Sequence, residues 1–170
     1  MREKLVELLP SLYRYLYRLS GETHLAEDLA QDVILRAMRC IDQLDSEEAL
    51  RVWLFRIGAN AWVDCCRRAG RKRSFENERR SQVADSLLVS SEPEPSEILG
   101  QREQLQWTQR AIMRLPERQR MVLILVVCEE LSHREVAEVL GISTDAVKAS
   151  LSVARVTMRK MLKQEEVKND

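Results

Sequence analysis

Six small or basic residues recur on one side of a predicted helix near the C-terminal end of the chain: Ser143, Thr144, Lys148, Ala149, Ser152 and Arg155. Short side chains of this kind reach base edges and cations hold phosphates, so the set is suited to a DNA major groove. A second set, Arg67, Arg68, Arg71, Lys72 and Arg73, follows directly on a segment carrying Trp53, Phe55 and Trp62. Rings stack on bases while cations grip phosphates, which is what unpaired nucleic acid requires. Trp53 and Ile57 also fit a core stripe. A third set is acidic: Asp28, Gln31, Asp32 and Leu35 stand at i, i+3, i+4 and i+7, on one helix face. That face suits docking to a basic partner helix, and it equally suits plain solvation.

Catalytic and metal chemistry find no comparable sets. There is no glycine-rich phosphate loop, and the acids lack a His or Lys partner at a plausible site, so no catalytic residue and no enzyme is expected. Cys40, Cys65, Cys66 and Cys128 contain no CxxC pair, and His24 and His133 are the only histidines, so neither a metal site nor a cofactor is expected. The cysteines read as reduced, partly buried side chains.

The elements that position these sets are helical. Ser132 and Glu135 form a capping box, so a helix begins near His133, keeps Val136, Ala137 and Leu140 on one face, and ends at Gly141. After the turn Gly141-Ile142-Ser143, a stripe of Val147, Leu151, Ala154, Met158 and Leu162 marks a second helix. Two short helices on a glycine turn are a helix-turn-helix, whose second helix would be the reader, although an ordinary helical hairpin shares the pattern. Upstream, Leu5, Leu8, Leu9, Leu12, Leu16 and Leu19 form a stripe ended by Gly21, with Pro10 marking a kink or a new first turn. The acidic face lies on a helix from about Thr23, a possible N-cap, to Cys40, with Ala26, Leu29, Val33, Ala37 and Ile41 inward. A polar connection, Ile41 to Glu48, leads to a helix near Ser46 to Ala69, capped by Asp45 with Glu48. Periodicity then vanishes from Asn77 to Ser96, where SSEPEPS reads as a linker. Ser96 caps a further helix with Ile98, Leu105, Ile112 and Leu115 facing a second core, and Pro116 opens the next at its first position.

The expected fold is therefore all-α: residues 1–76 as one small helical domain, 77–96 as a flexible linker and 97–170 as a helix-turn-helix domain. Formal charge is zero but segregated: residues 1–66 carry eleven acids and eight bases, whereas Arg67 to Arg80 holds seven bases against Glu76 and Glu78. Such segregation fits one face for a basic protein and another for phosphate. The longest apolar run, Met121 to Cys128, has eight residues, far short of a membrane span, so a soluble protein of the cytoplasm without membrane insertion is expected.

Several segments resemble the extracytoplasmic-function, or group IV, sigma factors, bacterial RNA polymerase specificity subunits. AEDLAQDVILRAM from Ala26 and VWLFRIGANAWVDCCRR from Val52 resemble the family's first domain. LPERQR from Leu115, LSHREVAEVLGIS from Leu131 and VKASL from Val147 resemble its second. The resemblance implies that Asp28, Gln31, Asp32 and Leu35 grip the clamp helices of the largest subunit of core RNA polymerase. It implies that Asn60, with Arg67, Arg68, Arg71, Lys72 and Arg73, melts and captures the minus-ten element, where extruding a base costs a few kcal/mol. Ser143, Thr144, Lys148, Ala149, Ser152 and Arg155 then fall on the minus-thirty-five reader, and the linker threads toward the polymerase active-site and RNA-exit channels. Promoter DNA, core polymerase and an anti-sigma factor are the implied partners.

Two departures stand out from the family pattern. Ser150 and Val153 occupy positions that are usually basic in the reading helix, which weakens phosphate gripping. Gly58 replaces a usual Ala, at a propensity cost of about 1 kcal/mol. Competing readings are a sigma mimic that binds an anti-sigma factor without touching DNA, and a stand-alone DNA-binding regulator. The Arg67 to Arg73 cluster disfavours the first, and the acidic stripe disfavours the second.

Overall fold

A computed structural model describes residues 1–44, 46–76 and 96–169, with side chains described at 1–44, 46–70 and 105–164. Every regular element among these residues is helical. The order is α1 (Arg2–Ser20), α2 (Thr23–Cys40), a 3-10 turn (Ile41–Gln43), α3 (Glu48–Glu76), α4 (Ser96–Met113), α5 (Glu117–Leu123), a π-helical turn (Ile124–Cys128), α6 (His133–Leu140) and α7 (Thr144–Asn169).

The leucine stripe of α1 is buried at Leu5, Leu12, Leu16 and Leu19, and Tyr15 joins it with its hydroxyl inside. Pro10 does not break this helix. Its missing N–H leaves only the Val6 carbonyl without an intrahelical donor, and both Val6 and Pro10 lie on the exposed side, where water can serve. Gly21 closes α1 at φ 72°, and its N–H donates to the Tyr17 carbonyl at 2.8 Å.

Some local expectations are corrected. Thr23 is the first residue of α2, and Glu22 holds the N-cap position without a side-chain cap. Ile41 faces inward as expected, 1% exposed, but on a 3-10 turn that follows α2. Ser46 caps α3 by accepting from the Ala49 N–H at 3.3 Å, while Asp45 lies outside the described residues. Pro116 is the N-cap of α5 and Glu117 its first residue, one position later than expected. Leu105 is 69% exposed and Leu162 45% exposed, so neither joins the core to which periodicity assigned it. The expected cap at Ser96, the inward Ile98 and the linker residues 77–95 lie outside what is described at side-chain or backbone level.

Helices α1, α2 and α3 pack on one another, and α5, α6 and α7 form a second group. The expectation of a separate second core is revised: buried residues from both groups form one contiguous cluster, from Leu5 through Phe55 and Leu125 to Ala154. Units of this size bury little apolar surface alone, and joining them buries more. Helix α6 packs on α3 and α4 on α1.

Guanidinium groups fasten this boundary to backbone carbonyls. Arg120 of α5 donates to the Leu19 carbonyl at 2.9 Å, and Arg56 of α3 donates twice to the Glu138 carbonyl, at 3.1 and 2.8 Å. Leu19 and Glu138 lie in the last turns of α1 and α6, where carbonyls have no intrahelical donor. Arg18 reaches the Glu129 carboxylate at 3.1 Å, and Arg51 donates to the Glu129 carbonyl.

Candidate nucleic-acid and partner-binding faces

The helix-turn-helix is built from local hydrogen bonds. The Ser132 N–H donates to Glu135 Oε2 at 2.7 Å and the Glu135 N–H donates to Ser132 Oγ at 3.2 Å, closing the capping box. These contacts hold the Glu135 carboxyl below its ordinary range. Gly141 turns the chain at φ 63°, and Ser143 Oγ accepts from the Ala146 N–H at 3.1 Å to cap α7. Val147, Leu151 and Ala154 are buried beneath the reader, and Met158 is half-buried.

Thr144, Lys148, Ala149, Ser152 and Arg155 are all exposed on the outer side of α7, with Ser143 at its start. Two of them have other duties as well. The Ser143 oxygen is the helix cap, and Lys148 Nζ lies 3.5 Å from Asp145 Oδ1, which partly neutralises it. A groove of about 300 Å³ runs beside this face, lined by His133, Lys148, Ser152, Arg155 and Arg159 among others. Sequence reasoning missed His133 and Arg159. Arg159 was within reach, four residues beyond Arg155 on the same face, but His133 joins only when α6 folds against α7.

On α3, Asn60 is exposed and lines a crevice of about 310 Å³ that faces Glu117, Arg118 and Met121 of α5 and Ile142 of the turn. Arg67 and Arg68 are exposed about two turns further on, with Arg67 Nη1 3.7 Å from Asp64 Oδ1. Arg71 and Lys72 continue the same helix with Arg73, but their side chains lie outside the described residues. The aromatics expected beside them are mostly committed to packing. Phe55 is fully buried with its ring edge-on to Tyr15 at 5.3 Å, Trp62 is 7% exposed, and Trp53 is half-buried against the core.

On α2, Asp28 and Gln31 are exposed, whereas Asp32 is half-buried and pairs with Arg36 at 2.6 Å. Leu35 is 56% exposed, and Met38, one turn on, is 52% exposed, which extends the face beyond the residues the sequence reading chose. Its signal was the i+3 step from Leu35. A groove of about 490 Å³ between α2 and α3 brings Asp28 and Asp32 together with Cys65 and Arg68. Residues assigned to different partners from sequence thus line one groove.

The cysteines are unpaired, with Cys40 exposed and Cys65, Cys66 and Cys128 half-buried. Burial, with Glu117 nearby, pushes the Cys66 thiol up to about 11, which disfavours its nucleophilic form. Among the described residues there is no group of three or more His, Cys, Asp or Glu placed to hold a metal, and no helix long and apolar enough to cross a membrane.

Comparison with known proteins follows the same division of the chain. Residues 5–72 match the family sigma-70 region 2, and residues 105–158 match sigma-70, region 4. The chain is 31% identical over 159 residues to the ECF RNA polymerase sigma factor SigW of Bacillus subtilis, covering 89% of this chain and 83% of that protein. It is similar to the structure of the sigma factor RpoE in complex with the anti-sigma factor NepR from Bartonella quintana, with 25% identity, a TM-score of 0.78 and coverage of 95% and 96%. It shares the fold of CnrH, solved in complex with the cytosolic domain of CnrY, at 22% identity, a TM-score of 0.66 and coverage of 95% and 86%.

Proposed function

The chain belongs to the extracytoplasmic-function (ECF) RNA polymerase sigma factors, and from that membership we propose how its faces divide the work. A sigma factor is a transcription initiation factor: it binds core RNA polymerase and directs it to promoters, and no chemistry occurs on its own side chains. Asp28, Gln31, Asp32 and Leu35, extended by Met38, dock on the clamp helices of the largest subunit. Exposed carboxylates steer a basic helix into place while the two apolar side chains supply the desolvated centre.

Asn60, Arg67 and Arg68, continued along α3 by Arg71, Lys72 and Arg73, engage the minus-ten element. The reading helix α7 engages the minus-thirty-five element through Thr144, Ala149 and Ser152 at base edges and through Lys148, Arg155 and Arg159 at phosphates. Ser143 and His133 lie beside the two helix starts, where N–H groups favour a phosphate oxygen. The factor belongs to group IV, acts in the cytoplasm with the polymerase, and is held inactive by an anti-sigma factor. The partners named in the structures of RpoE and CnrH support that last step.

The observation that carries this reading is the exposed basic outer side of α7 on a buried Val147, Leu151 and Ala154 stripe, in a chain whose other module presents the acidic α2 face. Transcription in vitro by core polymerase on fragmented genomic DNA of the source organism, with and without the protein, tests it. New RNA starts sharing two spaced upstream elements are expected. No new start from the folded protein would overturn it.

A further inference from the structure

Three apolar side chains stand in the open on the outer side of α7. Ala149, Val153 and Val156 are all exposed, the two valines by 50% and 46%. They recur at i, i+4 and i+7, so they form one stripe, and the same period carries it on to the exposed Lys160. The stripe lies opposite the buried face of Val147, Leu151 and Ala154, and neither valine joins the hydrophobic cluster.

Cations border it. Lys148, Arg155 and Arg159 line the groove of about 300 Å³ on one side of the stripe, and Val156 lines it with them. A helix face with an apolar centre and a cationic margin fits a ligand with an apolar floor and anionic walls. The DNA major groove is such a ligand where it carries thymine. Phosphates form its rims, and the C5 methyl of thymine is the one apolar group that a base pair presents on its floor. Set against a G·C pair, the same side chains would cover donors and acceptors without bonding them, which costs affinity. From Ala149 to Val156 is about 10.5 Å of helix, the length of about three base pairs at 3.4 Å each.

We propose, resting on the reading of α7 as the minus-thirty-five helix, that Ala149, Val153 and Val156 contact thymine methyl groups in that element. The chain then selects A·T pairs there by apolar contact, while Lys148, Arg155 and Arg159 hold the neighbouring phosphates. The match of residues 105–158 to sigma-70, region 4, favours DNA as the occupant of this face. An acidic amphipathic helix of a partner protein would also cover the valines, but it would give the protein no means of telling thymine from uracil.

That distinction is the test. Holoenzyme reconstituted from core polymerase and the full chain selects binders from a promoter library randomised upstream of the minus-ten element. Each thymine in the selected element is then replaced by uracil, which removes the C5 methyl and leaves the pairing intact. Every methyl that the stripe covers should strengthen binding about fourfold. Val153→Ala and Val156→Ala should each bind thymine and uracil alike at one position, with the melting temperature close to that of the wild type because both side chains are exposed. Val153→Arg should gain affinity on every sequence and lose the same discrimination. Equal binding of thymine and uracil at every position would overturn the proposal and leave the valines to a protein partner, and alanine variants that still tell the two bases apart would also overturn it. If no upstream element is selected at all, the minus-thirty-five reading fails and the proposal with it, whereas an element selected without sensitivity to the methyl sinks the proposal alone.

Discussion

Gly58 of α3 sits so close to Leu12 of α1 that a methyl group added there would stand 3.1 Å from Leu12 Cδ1. Helix propensity alone favours Ala at this position by about 1 kcal/mol. Leu12 and Tyr15 are both fully buried, however, and have little room to give way. Overpacking of this kind costs about 1–3 kcal/mol. Gly58→Ala should therefore fail to stabilise the protein, and should lower stability by up to about 2 kcal/mol by the same balance. Urea denaturation decides it: a gain would show that α1 and α3 can separate freely.

The capping box sets the stability of the helix-turn-helix. Ser132→Ala should cost about 1 kcal/mol. Glu135 has a folded-state pKa below its ordinary value of 4.5, so its contribution is present above that value and is lost as pH falls through the folded one. Below that window the wild type and Glu135→Gln should converge in stability. A difference that persists or widens in acid would show that the carboxylate is not what the cap uses.

Val153 is half-exposed on the outer side of the reading helix, where a cation would add a phosphate contact. Val153→Arg should strengthen promoter binding by the holoenzyme and steepen its log–log salt dependence by about 0.9. Arg155→Ala should flatten the slope by a similar amount if it grips phosphate, or relax sequence preference at one base at about 1–3 kcal/mol if it reads an edge. Unchanged slopes and preferences for both would remove α7 from the DNA interface.

Leu35 and Met38 are the apolar centre of an otherwise polar face. Leu35→Glu should weaken core-polymerase binding at least tenfold, about 1.4 kcal/mol, while the melting temperature stays within a degree or two of the wild type. Equal affinity, measured by fluorescence anisotropy with labelled protein, would return this face to plain solvation.

Much of the site was legible in the residues because its signals are local. Ser132 and Glu135 satisfy each other's backbone across three residues, Gly141 turns the chain by itself, and the Val147, Leu151 and Ala154 stripe needs only the helical period. The outer face of α7 and the acidic face of α2 follow from those stripes by exclusion. Spacing could not say which apolar residues would find a partner. Leu105 and Leu162 keep the right period and remain exposed, because burial depends on what arrives opposite.

The sequence by itself determined the helices, the capping box at Ser132 and Glu135, the glycine ends at Gly21 and Gly141, and the two modules, since each depends on neighbours within a few positions along the chain. Only the tertiary structure decided that the modules share one core, that Asn60 looks into a crevice and that Asp28 and Arg68 line one groove. It alone placed Glu129 inside, against an arginine 111 positions away. Such pairings are set by how whole helices pack, where burial and desolvation outweigh any preference the residues carry alone.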